Sequence, residues 1–231
     1  MSLYFWILLG SISGPFFLSF DKKVHFYTNW RFVFPATIAV AIAFIVWDEF
    51  FTQWGIWGFT PKYLQGIYLG NLPLEECLFF VIVPYACVFI YEVLKAYFPS
   101  VKLKTFSHYF AIVFTLAGLI LGLVFSEQTY TASACLISAM LTIGIYFVYK
   151  VKWYGNFVFA FLVAIIPFLI VNGILTGGFT PEPVVWYNPD HNMGIRIFTI
   201  PFEDLFYNYC MLFPIVGIYE WLKSRSHKKR A

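Results

Sequence analysis

Long apolar stretches, separated by short polar segments, make up most of the sequence. A helix that crosses the hydrocarbon core of a bilayer needs about 20 predominantly apolar residues. Seven stretches are long enough, and they span residues 3–20, 32–51, 74–97, 107–125, 132–149, 157–175 and 200–222. The pattern predicts an all-α polytopic membrane protein with about seven transmembrane helices.

The first stretch is expected to remain in the protein as a membrane span. It lacks the basic segment of a cleaved signal peptide, and Gly10, Gly14 and Pro15 lie inside it. Transmembrane helices tolerate glycine and proline better than soluble helices do.

Basic residues concentrate in alternate connecting segments. Thirteen of the fifteen lysines and arginines lie on one side of the predicted helices, whereas only Lys62 and Arg196 lie on the other. Because the cytoplasmic side is the basic one, the N-terminus is predicted outside and the basic C-terminal tail in the cytoplasm of an integral cell-membrane protein. This alternation requires an odd number of spans, which supports seven.

Composition excludes a soluble domain. Of the 231 residues, 61% are hydrophobic and only 12% are charged, whereas about a quarter of the residues of a soluble domain are charged. The four cysteines, at positions 77, 87, 135 and 210, lie inside predicted spans without paired spacing. They indicate neither disulfides nor a metal site.

Short segments recur in the two halves of the chain. Pro-Leu-Glu-Glu at 73–76 matches Pro-Phe-Glu-Asp at 201–204, and Ile-Tyr-Glu at 90–92 recurs at 218–220. Phe-Thr-Pro at 59–61 recurs at 179–181. These matches predict two parallel repeats joined by an inverting span, in a 3+1+3 arrangement. The predicted divisions are a first repeat at 1–104, a linker span at 105–130 and a second repeat with the basic tail at 131–231.

Two acidic pairs begin spans 3 and 7 on the predicted outer side: Glu75 with Glu76, and Glu203 with Asp204. Acids at a helix N-terminus also complement the helix dipole, which is the ordinary explanation. Two equivalent pairs in a chain with twelve acids favour a functional role instead. Burial and the like charge beside it favour the protonated form of a carboxyl group, so each pair offers a candidate general acid.

Three further polar residues are supporting candidates on the same side. Asp48 and Asn172 hold roughly corresponding positions, where either orients a carboxyl or caps its helix. Arg196 either pairs with Glu203 or Asp204, or is a loop residue that reaches the interface. On the inner side, Glu92 with Lys95 and Glu220 with Lys223 are expected to form structural ion pairs.

Aromatic residues near the acids have two interpretations. Trp57, Phe79 and Tyr207 are the candidates nearest to the pairs, and most such residues are interface or packing residues. Aromatic faces also stabilise a desolvated cation by up to about 2 kcal/mol. An acid with aromatic walls is the combination that protonation-initiated cyclisation of a polyene requires.

Several cofactors are not expected. Residues 200–222 contain no lysine for a retinal Schiff base, and no glycine-rich loop indicates a flavin or dinucleotide. The dispersed histidines suggest neither haem nor zinc, and no Asp-x-x-x-Asp pattern indicates a magnesium-dependent prenyltransferase. No cofactor, no metal and no nucleic-acid partner are therefore predicted.

At the paired acidic motifs, the sequence resembles the membrane-integral, flavin-free carotenoid cyclases of the lycopene cyclase type, in the form that fuses two homologous domains. Segments 172–177 (Asn-Gly-Ile-Leu-Thr-Gly) and 194–197 (Gly-Ile-Arg-Ile) share the resemblance, which covers nearly the whole chain. The halves differ, with Trp-Asp-Glu at 47–49 where the second has Val-Asn-Gly at 171–173. They need not share one catalytic role.

The resemblance implies an isomerisation of lycopene to β-carotene via γ-carotene, without net redox change. A carboxyl protonates the terminal double bond, the cation closes a six-membered ring, and a base removes a proton. Glu75, Glu76, Glu203 and Asp204 are then the acid and base candidates, with Glu75 and Glu203 preferred as acids. The expected partners are lycopene arriving laterally from the bilayer and other carotenoid enzymes.

Two other classes of protein fit the same pattern. Some small sugar transporters also have a 3+1+3 parallel repeat, but a transporter places polar groups at the membrane midplane, whereas here they gather at the span ends. The other is a structural membrane subunit that acts only with a partner.

Overall fold

The computed structural model describes residues 1–99 and 103–228. Within them the chain forms seven α-helices: α1 (Leu3–Leu18), α2 (Trp30–Gln53), α3 (Leu74–Tyr97), α4 (Lys104–Val124), α5 (Thr129–Leu141), α6 (Tyr154–Leu175) and α7 (Glu203–Lys228). Six short strands lie between them: β1 (Trp57–Phe59), β2 (Tyr68–Leu69), β3 (Leu72–Pro73), β4 (Val185–Tyr187), β5 (Arg196–Ile197) and β6 (Ile200–Pro201). A π-helical segment, Thr142–Val148, continues α5.

The all-α membrane fold predicted from the sequence is confirmed. Five helices of the described chain are long and apolar enough to cross a membrane, namely α2 to α6, with α5 extended by its π-helical segment. Helix α1 is apolar but has only 16 residues. Helix α7 is the longest, at 26 residues, and carries charged side chains at both ends. The strands were not predicted, and β6 occupies the start of the seventh predicted span.

Helices α3 and α7 form the centre of the bundle. Helix α3 packs against α1 and α6, while α7 packs against α5 and α2, and α4 lies along α5. Tyr91 and Tyr219, which correspond in the two central helices, are both fully buried. The two helices whose first turns carry the acidic pairs therefore both contribute to the centre of the core.

The loops at the acidic end, where α3 and α7 begin, close over that end of the bundle. Strands β1 and β4 pair antiparallel, with Trp57 opposite Tyr187 and Phe59 opposite Val185. The hairpins β2–β3 and β5–β6 lead directly into α3 and α7. Since β1 follows α2 and β4 follows α6, this pairing joins the two halves of the chain above the acidic helix ends.

At the opposite end of the bundle, two of the three ion pairs among the described residues join α3 to α7 and do not lie within one helix as predicted. Lys95 pairs with Glu92 at 3.1 Å, as predicted, and also with Glu220 at 2.7 Å. Lys223 pairs with Glu92 at 2.9 Å, where the sequence predicted Glu220. The prediction considered one helix at a time, whereas α3 and α7 lie side by side and bring each lysine within reach of the other helix's carboxylate.

Candidate active site

The four acids of the pairs are all buried in the first turns of α3 and α7. Pro73 precedes α3 with φ of −66°, an extended residue that ends β3 and begins the helix. A proline is well placed there because the first helical N–H groups have no partner within the helix. The hairpins thus deliver consecutive acids into the positive end of each helix dipole.

The first acid of each pair fastens neighbouring segments to its helix. Glu75 Oε1 accepts hydrogen bonds from Ser2 Oγ at 2.7 Å and from the backbone N–H of Gln65 at 2.6 Å. In the second half, Glu203 Oε1 accepts from Thr131 Oγ1 at 2.5 Å and from the backbone N–H of Met193 at 2.7 Å. Each carboxyl therefore holds a loop and the start of another helix.

The second acid of each pair lines an internal cavity. The Tyr4 hydroxyl donates to Glu76 Oε2 at 2.7 Å. Asp204 accepts three hydrogen bonds, from Tyr130 at 2.5 Å, Asn172 at 2.9 Å and Tyr187 at 3.2 Å. Asp204 is thus the more fully hydrogen-bonded of the two.

Asp48 is the third carboxyl at this cavity. It is buried, and the indole N–H of Trp57 donates to its Oδ1. Its Oδ2 is buried without a partner in the described part of the chain. Neither Asp48 nor Asn172 caps its helix, because α2 continues to Gln53 and α6 to Leu175.

The cavity itself has a volume of about 50 Å³. It has room for about one or two water molecules at roughly 30 Å³ each. Tyr207 and Asn208 also line it, and the Tyr207 hydroxyl and the Asn208 amide lack hydrogen-bond partners among the described residues. Unpartnered polar groups at such a cavity fit occupation by water.

Aromatic rings form much of the cavity wall. The Trp57 ring centroid lies 5.1 Å from Tyr130 and 5.8 Å from Tyr207, and the Tyr130 and Tyr187 centroids are 5.8 Å apart. Burial raises the pKa of Tyr187, the last residue of β4, well above its ordinary value, and the nearby Asp204 carboxyl raises it further. Tyr187 therefore keeps its proton and donates it in a hydrogen bond to Asp204.

Arg196 does not join the acids. It is exposed on β5, and its Nη1 donates to the Thr199 carbonyl at 2.6 Å. Of the two alternatives for Arg196, the pairing with Glu203 or Asp204 is absent from the ion pairs of residues 1–99 and 103–228. The tight β5–β6 hairpin holds the guanidinium on its own turn.

The structure brings most of the other sequence candidates together. One cavity is lined by Asp48, Trp57, Glu76, Phe79, Asn172, Asp204 and Tyr207. Glu75 and Glu203, the preferred acids in the sequence analysis, lie beside it but do not line it. No lysine, arginine or histidine within the described ranges forms an ion pair with the three carboxyls that line the cavity, those of Asp48, Glu76 and Asp204.

The residues that line the cavity and that sequence reasoning missed include Tyr4, Tyr130, Phe168 and Asn208. Tyr4 and Tyr130 begin α1 and α5, the first helices of the two predicted repeats. A tyrosine at the start of each of these helices could have indicated a contact with the acids, because α1 packs on α3 and α5 packs on α7.

A larger cavity lies elsewhere, at the lysine end of the described bundle. It has a volume of about 850 Å³ and is lined by Lys104, His108, Lys150 and Lys152 among others, with no carboxyl. The buried acids therefore distinguish the small cavity as the candidate active site.

Comparison with known proteins gives two matches. A family model described as lycopene cyclase matches residues 1–94 and 127–222. The bifunctional lycopene cyclase/phytoene synthase of Pyrenophora tritici-repentis (strain Pt-1C-BFP) is 32% identical over 100 residues. These residues make up 43% of this chain and only 16% of the relative's length. No solved structure matches the chain.

Proposed function

The chain belongs to the lycopene cyclase family, and from this premise we propose that it converts the acyclic end groups of lycopene into rings, giving β-carotene through monocyclic γ-carotene. The observation that supports this most directly is the aromatic-walled cavity lined by Asp48, Glu76 and Asp204 without a cationic partner in the described chain. The reaction is an isomerisation, and no cofactor takes part in the proposal.

Glu76 is the proposed proton donor. Three carboxylates that share a buried cavity repel one another when no cation compensates them, so at least one proton remains among them. Hydrogen bonds from three donors favour the charged form of Asp204, whereas Tyr4 is the single side-chain donor to Glu76 among the described residues. The structure therefore supports Glu76 as the acid and Asp204 as the carboxylate, in place of the order expected from the sequence.

In the proposed reaction, the substrate gains one proton and loses one proton for each ring formed. Glu76 adds its proton to the terminal carbon–carbon double bond, which leaves a tertiary cation. The π electrons of the neighbouring double bond attack that cation and close a six-membered ring. Asp204 then removes a proton from the carbon next to the new cationic centre, and the ring double bond forms. Asp204 then releases its proton to solvent and Glu76 takes one up from solvent, which restores the starting state.

The cavity wall has two roles in this mechanism. The faces of Trp57 and Tyr207 stabilise the cation by up to about 2 kcal/mol when desolvated. Burial also limits the access of bulk water, which otherwise adds to a carbocation and gives an alcohol. Asp48 adds a third carboxyl group to the same wall.

The repeat, topology and partners are proposed together. The divisions at 1–104, 105–130 and 131–231 are supported by the equivalent contacts of Glu75 and Glu203.

The distribution of basic residues supports a cell-membrane protein with the acidic end outside. Lycopene in the bilayer is the proposed substrate, and association with other carotenoid enzymes is proposed because such apolar products do not cross water.

The decisive experiment is pigment analysis of lycopene-accumulating cells that express the wild type, Glu76→Gln or Glu75→Gln. We expect γ- and β-carotene from the wild type. For Glu76→Gln we expect a cyclisation rate that is lower by about 10²- to 10⁴-fold, the usual contribution of a general acid. Glu75→Gln is expected to retain activity in proportion to the folded protein. If membrane-inserted wild type leaves lycopene unchanged, the proposed function fails.

A second measurement examines protonation itself. Reaction in D₂O is expected to add one deuterium for each ring formed, because the donated proton exchanges with solvent between turnovers. Mass spectrometry of the monocyclic and bicyclic products reads this directly. Rings formed without deuterium would exclude an exchangeable carboxyl as the donor.

A further inference from the structure

A second cavity adjoins the acid cavity and lies between α1, α3 and α6. It has a volume of about 250 Å³ and shares Phe79, Phe168 and Asn172 with the acid cavity. Its other walls include Gly10 and Ser11 on α1, Val83 and Ala86 on α3, and Ala164 and Pro167 on α6. We call this second cavity the α1–α3–α6 groove. The two shared phenylalanines lie where the groove meets the acid cavity.

Volume requires a second compartment if a polyene is to bind. The acid cavity, at about 50 Å³, holds no more than water. Small-molecule sites measure roughly 300–1,000 Å³, and the cavity approaches that range only when the groove of about 250 Å³ is joined to it. A carotenoid end group therefore needs the groove.

The chemistry of the groove suits a hydrocarbon. Its polar side chains already have partners, since the Ser11 hydroxyl donates to the Ile7 carbonyl at 2.8 Å and Asn172 donates to Asp204 at 2.9 Å. The remaining walls are aliphatic, aromatic or glycine, apart from the thiol of Cys87. A polar ligand would leave its own hydrogen bonds unmade there.

The groove reaches the lateral surface of the bundle. Gly10 lies in the middle of α1 and Pro167 lies within α6, and both residues are exposed. Because these positions lie along the helices and away from the loops, the groove opens toward the hydrocarbon region of the bilayer. A lipid-dissolved chain can reach it without crossing water.

The corresponding space in the second half of the chain is filled by larger side chains. Tyr207, at the position equivalent to Phe79, packs against Phe44 and Trp47 with centroid distances of 5.1 and 5.2 Å. Buried Met211 takes the position of Val83, and Trp47 that of Val171. The two halves are thus unequal, with an open groove beside α3 and aromatic packing beside α7.

We propose that the α1–α3–α6 groove holds the polyene chain of the substrate and guides its end group past Phe79 and Phe168 to Glu76. This inference rests on the proposed function and deepens it, because it assigns one lateral binding path to one half of the repeat. Both end groups of a bicyclic product reach the acids by the same path.

Two glycines of α1 offer a matched test. Neither Gly10 nor Gly14 has a neighbouring atom within 4 Å of an added Cβ, so both accept a side chain without backbone strain. Only Gly10 lines the groove. Gly10→Leu is expected to lower kcat/KM for lycopene by about tenfold or more, mainly through KM, while Gly14→Leu behaves as the wild type. Equal activity of both variants would overturn the proposal.

A binding measurement separates this inference from the proposed function. Cys87 lines the groove, whereas Cys77 on the same helix lines neither cavity. In membranes that contain lycopene, alkylation of Cys87 by N-ethylmaleimide is expected to slow at least severalfold, with Cys77 unchanged. If the wild type cyclises lycopene but Cys87 is not protected, the groove is not the binding path. If the wild type fails to cyclise lycopene, the proposed function itself is overturned.

Discussion

Consecutive acids in one helical turn point in different directions, and they therefore have different neighbours. An α-helix turns about 100° per residue, so Glu75 faces Ser2 and Gln65 while Glu76 faces the cavity. The same division holds for Glu203 and Asp204. Each motif therefore combines a residue that fastens the local structure with one that reaches the site.

Replacing Glu75 is expected to affect stability more than chemistry. Glu75→Ala leaves the Gln65 N–H and the Ser2 hydroxyl without their acceptor, and hydrogen bonds to charged groups contribute about 1.5–3 kcal/mol each. Thermal unfolding in detergent should show a lower midpoint for Glu75→Ala than for Glu76→Gln. The reverse order would contradict the division of roles.

Asp48 and Glu49 provide a matched pair of neighbouring acids. Asp48→Asn keeps the acceptor for the Trp57 indole but removes one of the three carboxyl groups from the cavity. Glu49 instead accepts from Asn71 outside the cavity, at 2.9 Å for the backbone N–H. Cyclisation is expected to slow about tenfold or more in Asp48→Asn, because the cavity loses one of the three carboxyl groups that can hold or pass a proton, and to remain unchanged in Glu49→Gln. Rate assays with membranes from both variants would measure this.

At the scale of elements, close packing explains why α4 is more than a connection between repeats. A Cβ on Gly118 would lie 2.7 Å from the Cys135 carbonyl, and one on Gly122 would lie 2.6 Å from Leu136. Small residues four positions apart allow membrane helices to approach closely. The sequence analysis described this span only as a linker.

Enlarging Gly118 should therefore separate α4 from α5. Gly118→Val is expected to destabilise the protein by about 1–3 kcal/mol, the usual cost of overpacking. Gly144→Val is a control, because nothing lies within 4 Å of an added Cβ there. Resistance to unfolding by sodium dodecyl sulfate measures the difference, and equal resistance of both variants would show that this packing does not limit stability.

The lysine end joins α3 and α7 through unequal contributions. Lys95 contacts both Glu92 and Glu220, whereas Lys223 contacts only Glu92 among the carboxylates of the described chain. Lys95→Gln should therefore destabilise the protein more than Lys223→Gln, by about 1 kcal/mol after allowance for partial exposure. The same unfolding assay decides the order, and a larger effect of Lys223→Gln would contradict it.

At the scale of the whole molecule, the two halves meet at one cavity but contribute different groups. Glu76 comes from the first half and Asp204 from the second, with Tyr4 and Tyr130 donating from the starts of α1 and α5. The β1–β4 pairing joins the halves directly above them. The two halves therefore form one composite candidate site, whereas the predicted repeat also allowed two separate sites.

A single site with a single groove has a kinetic consequence. In the proposed reaction, the rigid conjugated chain must leave and return in the opposite orientation before its second end is cyclised. We expect γ-carotene to accumulate in the membrane before β-carotene and to exchange with added labelled γ-carotene during a time course. Bicyclic product without a free monocyclic intermediate would contradict the single path.

The sequence alone determined the membrane class, the helices, the two acidic pairs and the family resemblance. Each depends on local pattern, because a span must be apolar along its whole length and the acids stand out against it. The tertiary structure decided which acid of each pair lines the cavity, that Tyr4 and Tyr130 hold those acids, that Arg196 lies apart, and where the groove opens. The physical reason is that side chains facing lipid and side chains facing the core are both apolar in a membrane helix. The pattern therefore carries little information on helix rotation, which packing alone determines.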